Sequence, residues 1–422
     1  MKKLTAVILA AFMLFEFCSC RQSREQGFEN SSVLSEVSDV SEPEQESEAE
    51  QSEETTSVPE AFDEVSKLEK NADPEPNYEP ITLPVDERTP AEKYVDGLTL
   101  EQQLGQMFFA RCPESGAAEQ AARFSVGGFI LFGRDFEGQT PESLRQKISE
   151  YQSAAKTPLL IGTDEEGGSV VRVSAYKAFR SEKFHSPGYL YSRSGIDAVI
   201  ADADEKDALL KGLGINVNLA PVCDVSENPS DFIYSRTLGK GAEETAEYIS
   251  RLVEKMNFDG VGSVLKHFPG YGGNSDTHTG IAVDEREKEE FYQKDFLPFF
   301  AGISAGAGSV LVSHNMVKSF DSNLPASLSP EIHRVLREEL GFEGVIMTDD
   351  LAMKAITAYT GDKSAAVLAV EAGNDMIISS DLESQYTAVL DAVNGGTISR
   401  ERIRQSAVRV LNWKITLGLV EI

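Results

Sequence analysis

Cysteine is scarce in this chain of 422 residues. Four are present, and two of them, Cys18 and Cys20, fall in an N-terminal leader, so Cys112 and Cys223 alone stand in the body of the chain. Two cysteines make no disulfide framework. Each lies in or just after an apolar run, which reads as a buried free thiol, and whether the two runs are neighbours is open at this level. Basic residues are also few. The 39 Lys and Arg stand against 69 Asp and Glu, a formal net charge of −30. Binding to nucleic acid requires basic patches that neutralise phosphates, so that partner class is excluded. No Gly-x-Gly-x-x-Gly follows the first expected strand, which argues against a nucleotide cofactor.

Lys2 and Lys3 precede an apolar stretch, residues 4–15, that is too short to span a bilayer. Residues 1–20 therefore read as a signal peptide. It closes on Ser19-Cys20, and a small residue before Cys resembles the end of a bacterial lipoprotein signal, although Glu16 interrupts the apolar run and Phe17 stands where Leu is usual. That resemblance implies a lipid on Cys20 and a protein anchored to the outer face of a membrane; plain secretion is the alternative. Residues 29–64 carry thirteen acidic residues and no Lys or Arg. Such a composition cannot bury enough apolar surface to offset its ordering entropy. Residues 21–88 are accordingly expected to be a disordered, self-repelling tether.

From residue 89 the texture changes. Apolar runs of strand length fall at 107–110, 128–132, 159–162, 217–221, 264–267, 310–313, 345–348 and 376–379. They are continuous rather than alternating, as in parallel strands covered on both faces. Helix starts lie between them: Thr99-Leu100-Glu101-Gln102 has capping-box form, and Thr140-Pro141 and Ser329-Pro330 put Pro at the first helical position. Ser399 precedes a last helix with Ile403, Ala407, Val410 and Leu411 on one face. Eight strand–helix units over 89–422 predict a single (β/α)8 TIM-type barrel, with a doubly wound open sheet as the alternative.

In such a barrel the chemistry sits at the carboxyl ends of the strands. The third run is followed by Thr163-Asp164-Glu165-Glu166-Gly167-Gly168-Ser169-Val170-Val171-Arg172. Three consecutive acids are costly if buried unpaired; they hold sugar hydroxyls or metal, or form a solvent-facing turn. The fifth run ends in Lys266-His267-Phe268-Pro269-Gly270-Tyr271 and continues to Asp276-Thr277-His278. A carboxylate two residues before an imidazole can fix its tautomer and raise its basicity, which makes it a usable acid and base near neutral pH. The sixth run ends in Ser313-His314, where His314 either lines a site or is a satisfied structural histidine. The seventh ends in Thr348-Asp349-Asp350-Leu351-Ala352-Met353. His185 and His333 have no motif around them, and His333 is expected to be exposed.

Lys266–Gly270 with Asp276-Thr277-His278, together with Gly344-Val345-Ile346-Met347-Thr348-Asp349-Asp350-Leu351-Ala352-Met353, resemble the signatures of bacterial β-N-acetylglucosaminidases of glycoside hydrolase family 3. Asp164 to Arg172 resembles that family's D-x-E-G-G-x-V-x-R, Pro221 to Val225 its P-V-x-D-V, and Ser235-Arg236-Thr237-Leu238-Gly239 its S-R-x-[FL]-G. The resemblance implies Asp349 as nucleophile, His278 as general acid/base paired with Asp276, and Asp164, Arg172, Arg236, Lys266 and His267 as the sugar-binding set. Asp224 is read as structural, or as acting from behind the site, and Asp350 as holding its loop. Two departures stand out: Tyr271 replaces a second His, and the loop before Asp276 is slightly short. Many members carry a second domain after the barrel, which is not expected here because the chain ends at Ile422.

The expectation is a retaining exo-enzyme that removes terminal β-linked N-acetylglucosamine from peptidoglycan fragments or other amino-sugar glycans, as a monomer and without metal or cofactor. Rival readings are a β-glucosidase or β-xylosidase of the same family, a metal-dependent hydrolase using His267, His278 and the acids, and a non-catalytic surface glycan-binding protein. A phosphorolytic second step is a further variant.

Overall fold

Eight short runs rich in Val, Ile, Leu, Phe and Met become strands because each can be covered on both faces. A computed structural model describes residues 86–274, 281–353, 356, 359–360 and 364–421, all within the unit Leu83–Ile422. The barrel strands are β1 (Phe108–Arg111), β2 (Gly128–Leu131), β3 (Leu160–Thr163), β4 (Val217–Asn218), β5 (Gly262–Phe268), β6 (Ser309–Val312), β7 (Val345–Thr348) and β8 (Ile377–Ser379). They run parallel in the order β8-β1-β2-β3-β4-β5-β6-β7. A parallel bridge between Met347 and Met376 closes the ring. There Met376 N donates to Ile346 O at 3.0 Å and Thr348 N donates to Met376 O at 3.2 Å. Closure rules out the open doubly wound sheet and leaves the (β/α)8 barrel.

Side chains alternate across the barrel wall. Phe109, Leu160, Val264, Leu311, Val345 and Met347 share the interior cluster, whereas Phe108, Ala110 and Ile161 on one side, and Leu265, Val310 and Ile346 on the other, pack under the helices. The helices start where the sequence indicates. Thr99, Thr140 and Ser329 each accept a backbone N–H of the first turn, and Pro141 and Pro330 open their helices. The last helix, Arg400–Thr416, is capped by Ser399 and buries Ile403, Ala407, Val410 and Leu411. Its Trp413 closes the amino-terminal end of the barrel. A Cβ on Gly308, just before β6, would lie 2.0 Å from Trp413 Nε1, so only glycine admits the indole.

Two expectations need correction. The run 217–221 pairs as a ladder only over Val217–Asn218, because Ala220 N turns back to donate to Asn218 O at 2.7 Å instead of to the neighbouring strand. The chain still follows β5, with Val264 N donating to Ala220 O at 2.8 Å and Cys223 N donating to Lys266 O at 2.6 Å, and this delivers Asp224 to the side of His267. His333 is buried, not exposed. Its helix faces the turn at Gly373, and a Cβ there would meet the His333 side chain at 3.1–3.3 Å. His333 Nδ1 donates to Ser329 O at 2.8 Å, and burial pushes its pKa below the usual histidine value. Cys112 and Cys223 are buried free thiols. No helix among the described residues is long and apolar enough to cross a membrane.

Candidate active site

A cavity of about 310 Å³ opens at the carboxyl ends of the strands. Every strand supplies part of its wall: Arg111 ends β1, Phe132 follows β2, Asp164 follows β3, Leu219 follows β4, Lys266 and His267 lie on β5, Leu311 on β6, Asp349 follows β7 and Ile378 lies on β8. Asp164, Arg172, Arg236, Lys266, His267 and Asp349, named from separate stretches of sequence, therefore line one concavity. Asp276 and His278 lie outside the described residues.

The three consecutive acids after β3 have three different tasks. Asp164 reaches into the cavity, with Oδ1 accepting from Lys266 Nζ at 2.8 Å and Oδ2 3.6 Å from the Arg172 guanidinium. Glu165 turns inward and is fully buried. Its carboxylate accepts the backbone N–H groups of Arg172, Val173 and Ser174 at 2.7–3.2 Å. This folds the Gly167-Gly168 turn back on itself and sets Arg172 at the cavity rim. Glu166 accepts from Arg236 through both oxygens, at 2.9 and 2.7 Å, and lies 2.6 Å from Lys266 Nζ. Burial works to protonate Glu166, but Lys266 and Arg236 outweigh it and hold its pKa at about 2. Burial likewise works against the Lys266 ammonium, and Asp164 and Glu166 raise its pKa above the usual lysine value.

The charged chain continues through His267. Arg236 Nη2 lies 3.0 Å from His267 Nε2, and His267 Nδ1 lies 2.8 Å from Asp224 Oδ2. A guanidinium can only donate, so Nε2 accepts and Nδ1 carries the proton that Asp224 receives. His267 is thereby a neutral imidazole. Burial, and after it the neighbouring Arg236, push its pKa below the usual value. Asp224 Oδ1 also accepts from Tyr271 N at 2.7 Å. With both ring nitrogens of His267 engaged and Asp224 accepting from three donors, His267 N, His267 Nδ1 and Tyr271 N, neither is set up as a metal ligand. Among the described residues no three His, Cys, Asp or Glu side chains gather as a ligand set.

Across the cavity stands Asp349. Its N–H donates to Val312 O at 3.2 Å, and its Oδ1 accepts from Asp350 N at 2.8 Å. Asp350 also reaches the cavity wall, but its carboxylate is occupied by Ala352 N at 2.9 Å and by the backbone and hydroxyl of Ser380. It ties the turn after β7 to the turn after β8. His314 is structural: it is fully buried, with Nδ1 2.7 Å from Ser327 Oγ and Nε2 3.1 Å from Asp350 O. Tyr271, where the resembled family has His, is buried and sets its ring edge-on to His267 at 5.1 Å between centroids.

Several wall residues escape sequence reading. Arg111 and Phe132 stand at the ends of β1 and β2, with the Arg111 guanidinium 4.8 Å over the Phe132 ring. The strand-end rule applied to the other runs would have found both. Met353 lines the wall from the turn after β7, and Glu166 stands behind it, held to Arg236 and Lys266, partners that are distant in sequence.

The pattern of the glycosyl hydrolase family 3 N-terminal domain matches residues 99–413. A β-hexosaminidase of Methylococcus capsulatus is 32% identical over 291 residues, covering 67% of this chain and 84% of its own length. β-Hexosaminidase A of Pseudoalteromonas piscicida is 30% identical over 330 residues, covering 71% of this chain, which spans only 55% of that protein. The solved structure of a family 3 β-N-acetylglucosaminidase from a Paenibacillus species superposes with a TM-score of 0.71 at 32% identity, covering 77% of this chain and 64% of its own.

Proposed function

The chain belongs to glycosyl hydrolase family 3, and from that membership we propose that it is a retaining exo-β-N-acetylglucosaminidase. The observation that carries this reading is one cavity in which Asp349, at the end of β7, faces the ion-paired set of Asp164, Arg172, Arg236, Lys266 and His267. The β-hexosaminidase and β-N-acetylglucosaminidase names of the similar proteins support the choice of sugar.

In this reading the terminal sugar sits over the barrel mouth, and its hydroxyls exchange hydrogen bonds with Asp164, Arg172, Lys266, His267 and Arg236. Each of these groups is already oriented by a neighbour, so little ordering remains to be done on binding. Asp349 attacks the anomeric carbon. The glycosidic oxygen leaves with a proton from His278, which Asp276 orients, and a glycosyl ester on Asp349 results. His278 then takes a proton from water, water adds to the anomeric carbon, and the Asp349 carboxylate departs. Two displacements at one carbon retain its configuration. No step needs a metal or cofactor. An outer-face location, through a lipid on Cys20, would place the enzyme among peptidoglycan fragments, the proposed natural substrates.

The test is turnover of p-nitrophenyl β-N-acetylglucosaminide and β-glucoside with EDTA present, with the first-formed anomer followed by NMR. Release from the N-acetyl substrate alone, giving the β-anomer first, is the expected result. Preference for the glucoside would move the enzyme to the β-glucosidase reading. Loss of activity in EDTA would move it to the metal-dependent one, and turnover of neither substrate would favour a binding protein.

A further inference from the structure

The chain enters residues 275–280 at Asn274 and leaves them at Ile281, and both stems are tied to one buried charged cluster. The entering stem is fixed to the cavity wall: Gly270 N donates to His267 O at 2.8 Å and Tyr271 N to Asp224 Oδ1 at 2.7 Å. The leaving stem is fixed to the segment after β6, through the parallel pairing of Val283–Asp284 with Met316–Val317. Arg286 joins the two. Its guanidinium donates to the Asp284 carboxylate at 2.8–3.1 Å, to Asp295 Oδ2 at 2.9 Å and to Gly270 O at 3.3 Å. Asn274 Nδ2 completes the tie, donating to Asp284 Oδ2 at 2.6 Å and to Tyr271 O at 2.8 Å. Phe291 lies under the guanidinium at 4.2 Å. Gly272 makes room for it: φ is +55°, and a Cβ there would fall 2.6 Å from Arg286 Cζ.

Asp284 and Asp295 are almost completely buried, and Arg286 largely so. Burying a charged cluster is weak evidence for stability, because desolvation offsets most of the attraction; its best-attested use is to specify a register. Here the register is that of the two stems flanking Asp276 and His278. We propose that Arg286 is a positioning residue, which sets where His278 stands relative to the leaving oxygen by clamping Gly270 and Asn274 against Asp284 and Asp295. The proposal rests on the acid/base role read for His278.

A general acid counts only as far as the leaving group needs its proton. 2,4-Dinitrophenolate departs without one, whereas phenolate does not, and kcat/KM reports only the steps up to cleavage. The experiment measures kcat/KM for the 2,4-dinitrophenyl and phenyl β-N-acetylglucosaminides in wild type, Arg286→Lys, Asn274→Ala and His278→Ala. Asn274→Ala removes no charge, so it keeps the test open if Arg286→Lys folds poorly. The clamp predicts that phenyl activity falls about tenfold or more in the two clamp variants, within the range a general acid supplies, while dinitrophenyl activity falls by less than about threefold, the same direction as in His278→Ala. Equal losses on both substrates, or none on either, while His278→Ala discriminates between them, would overturn the clamp alone. An even response in His278→Ala would remove the acid role, and the clamp with it.

Discussion

At the scale of the residue, Glu166 shows what local sequence can and cannot convey. It looks like the third acid of a surface turn, yet it is buried and holds Arg236 and Lys266 at 2.6–2.9 Å. Its partners lie 70 and 100 positions away in the chain, so only folding reveals them. Removing one member of such a buried set leaves charges unpaired, which costs about 3–5 kcal/mol. Glu166→Gln should therefore lower the thermal midpoint clearly at neutral pH. The pH dependence has a definite sign. Because the folded-state pKa of about 2 lies below the ordinary 4.5, the unfolded chain binds the extra proton. The carboxylate's stabilisation is then fully present above pH 4.5 and is lost as the pH falls towards 2. The gap between wild type and variant, followed by denaturation from pH 7 downwards, should stay constant and then narrow below pH 4.5; a gap that widens on acidification would contradict the assignment. Asp164, Arg172, Arg236, Lys266, His267 and Asp349 were legible because each stands in a stretch with its own motif. Arg111 and Phe132 were not singled out, although their strand ends mark them equally well.

At the scale of the element, all eight strands were legible because a strand buried on both faces must be apolar throughout, and such runs stand out against polar helices. Their ends were less so. β4 stops short because Ala220 N turns back to Asn218 O, while the chain beyond it still tracks β5 and brings Asp224 to His267. His333 was misread for a related reason: a Pro-started helix announces where it begins, not which neighbour will cover its face. The closing helix Arg400–Thr416 makes its own prediction. Trp413 fills the amino-terminal end of the barrel against Gly262 and Gly308. Trp413→Ala removes a large buried side chain that the rigid strands cannot collapse to replace, so a loss of about 3–5 kcal/mol is expected in denaturant titration. A loss below about 1 kcal/mol would mean that the barrel end is closed by something else. The cavity lies at the opposite end of the strands, so KM should change little.

At the scale of the whole molecule, the acidic excess is shared along the chain but densest in residues 29–64, which hold thirteen acids and no Lys or Arg, whereas the ion-paired cavity lies in the part after residue 89. The leader reading predicts that Cys20→Ser moves hexosaminidase activity from the membrane fraction to the soluble exported fraction, with kcat/KM unchanged; wild-type activity that is already soluble would favour plain secretion. The central claim is that the aspartate ending β7 forms the covalent bond to the sugar, and trapping tests it most directly. The enzyme is incubated with an activated 5-fluoro N-acetylglucosaminyl donor, digested and mapped by mass spectrometry. The account predicts one added fluorosugar on the peptide containing Thr348-Asp349-Asp350, located at Asp349 and absent in Asp349→Ala. A label on Glu166 or Asp350, or efficient turnover of substrate by Asp349→Ala, would contradict it.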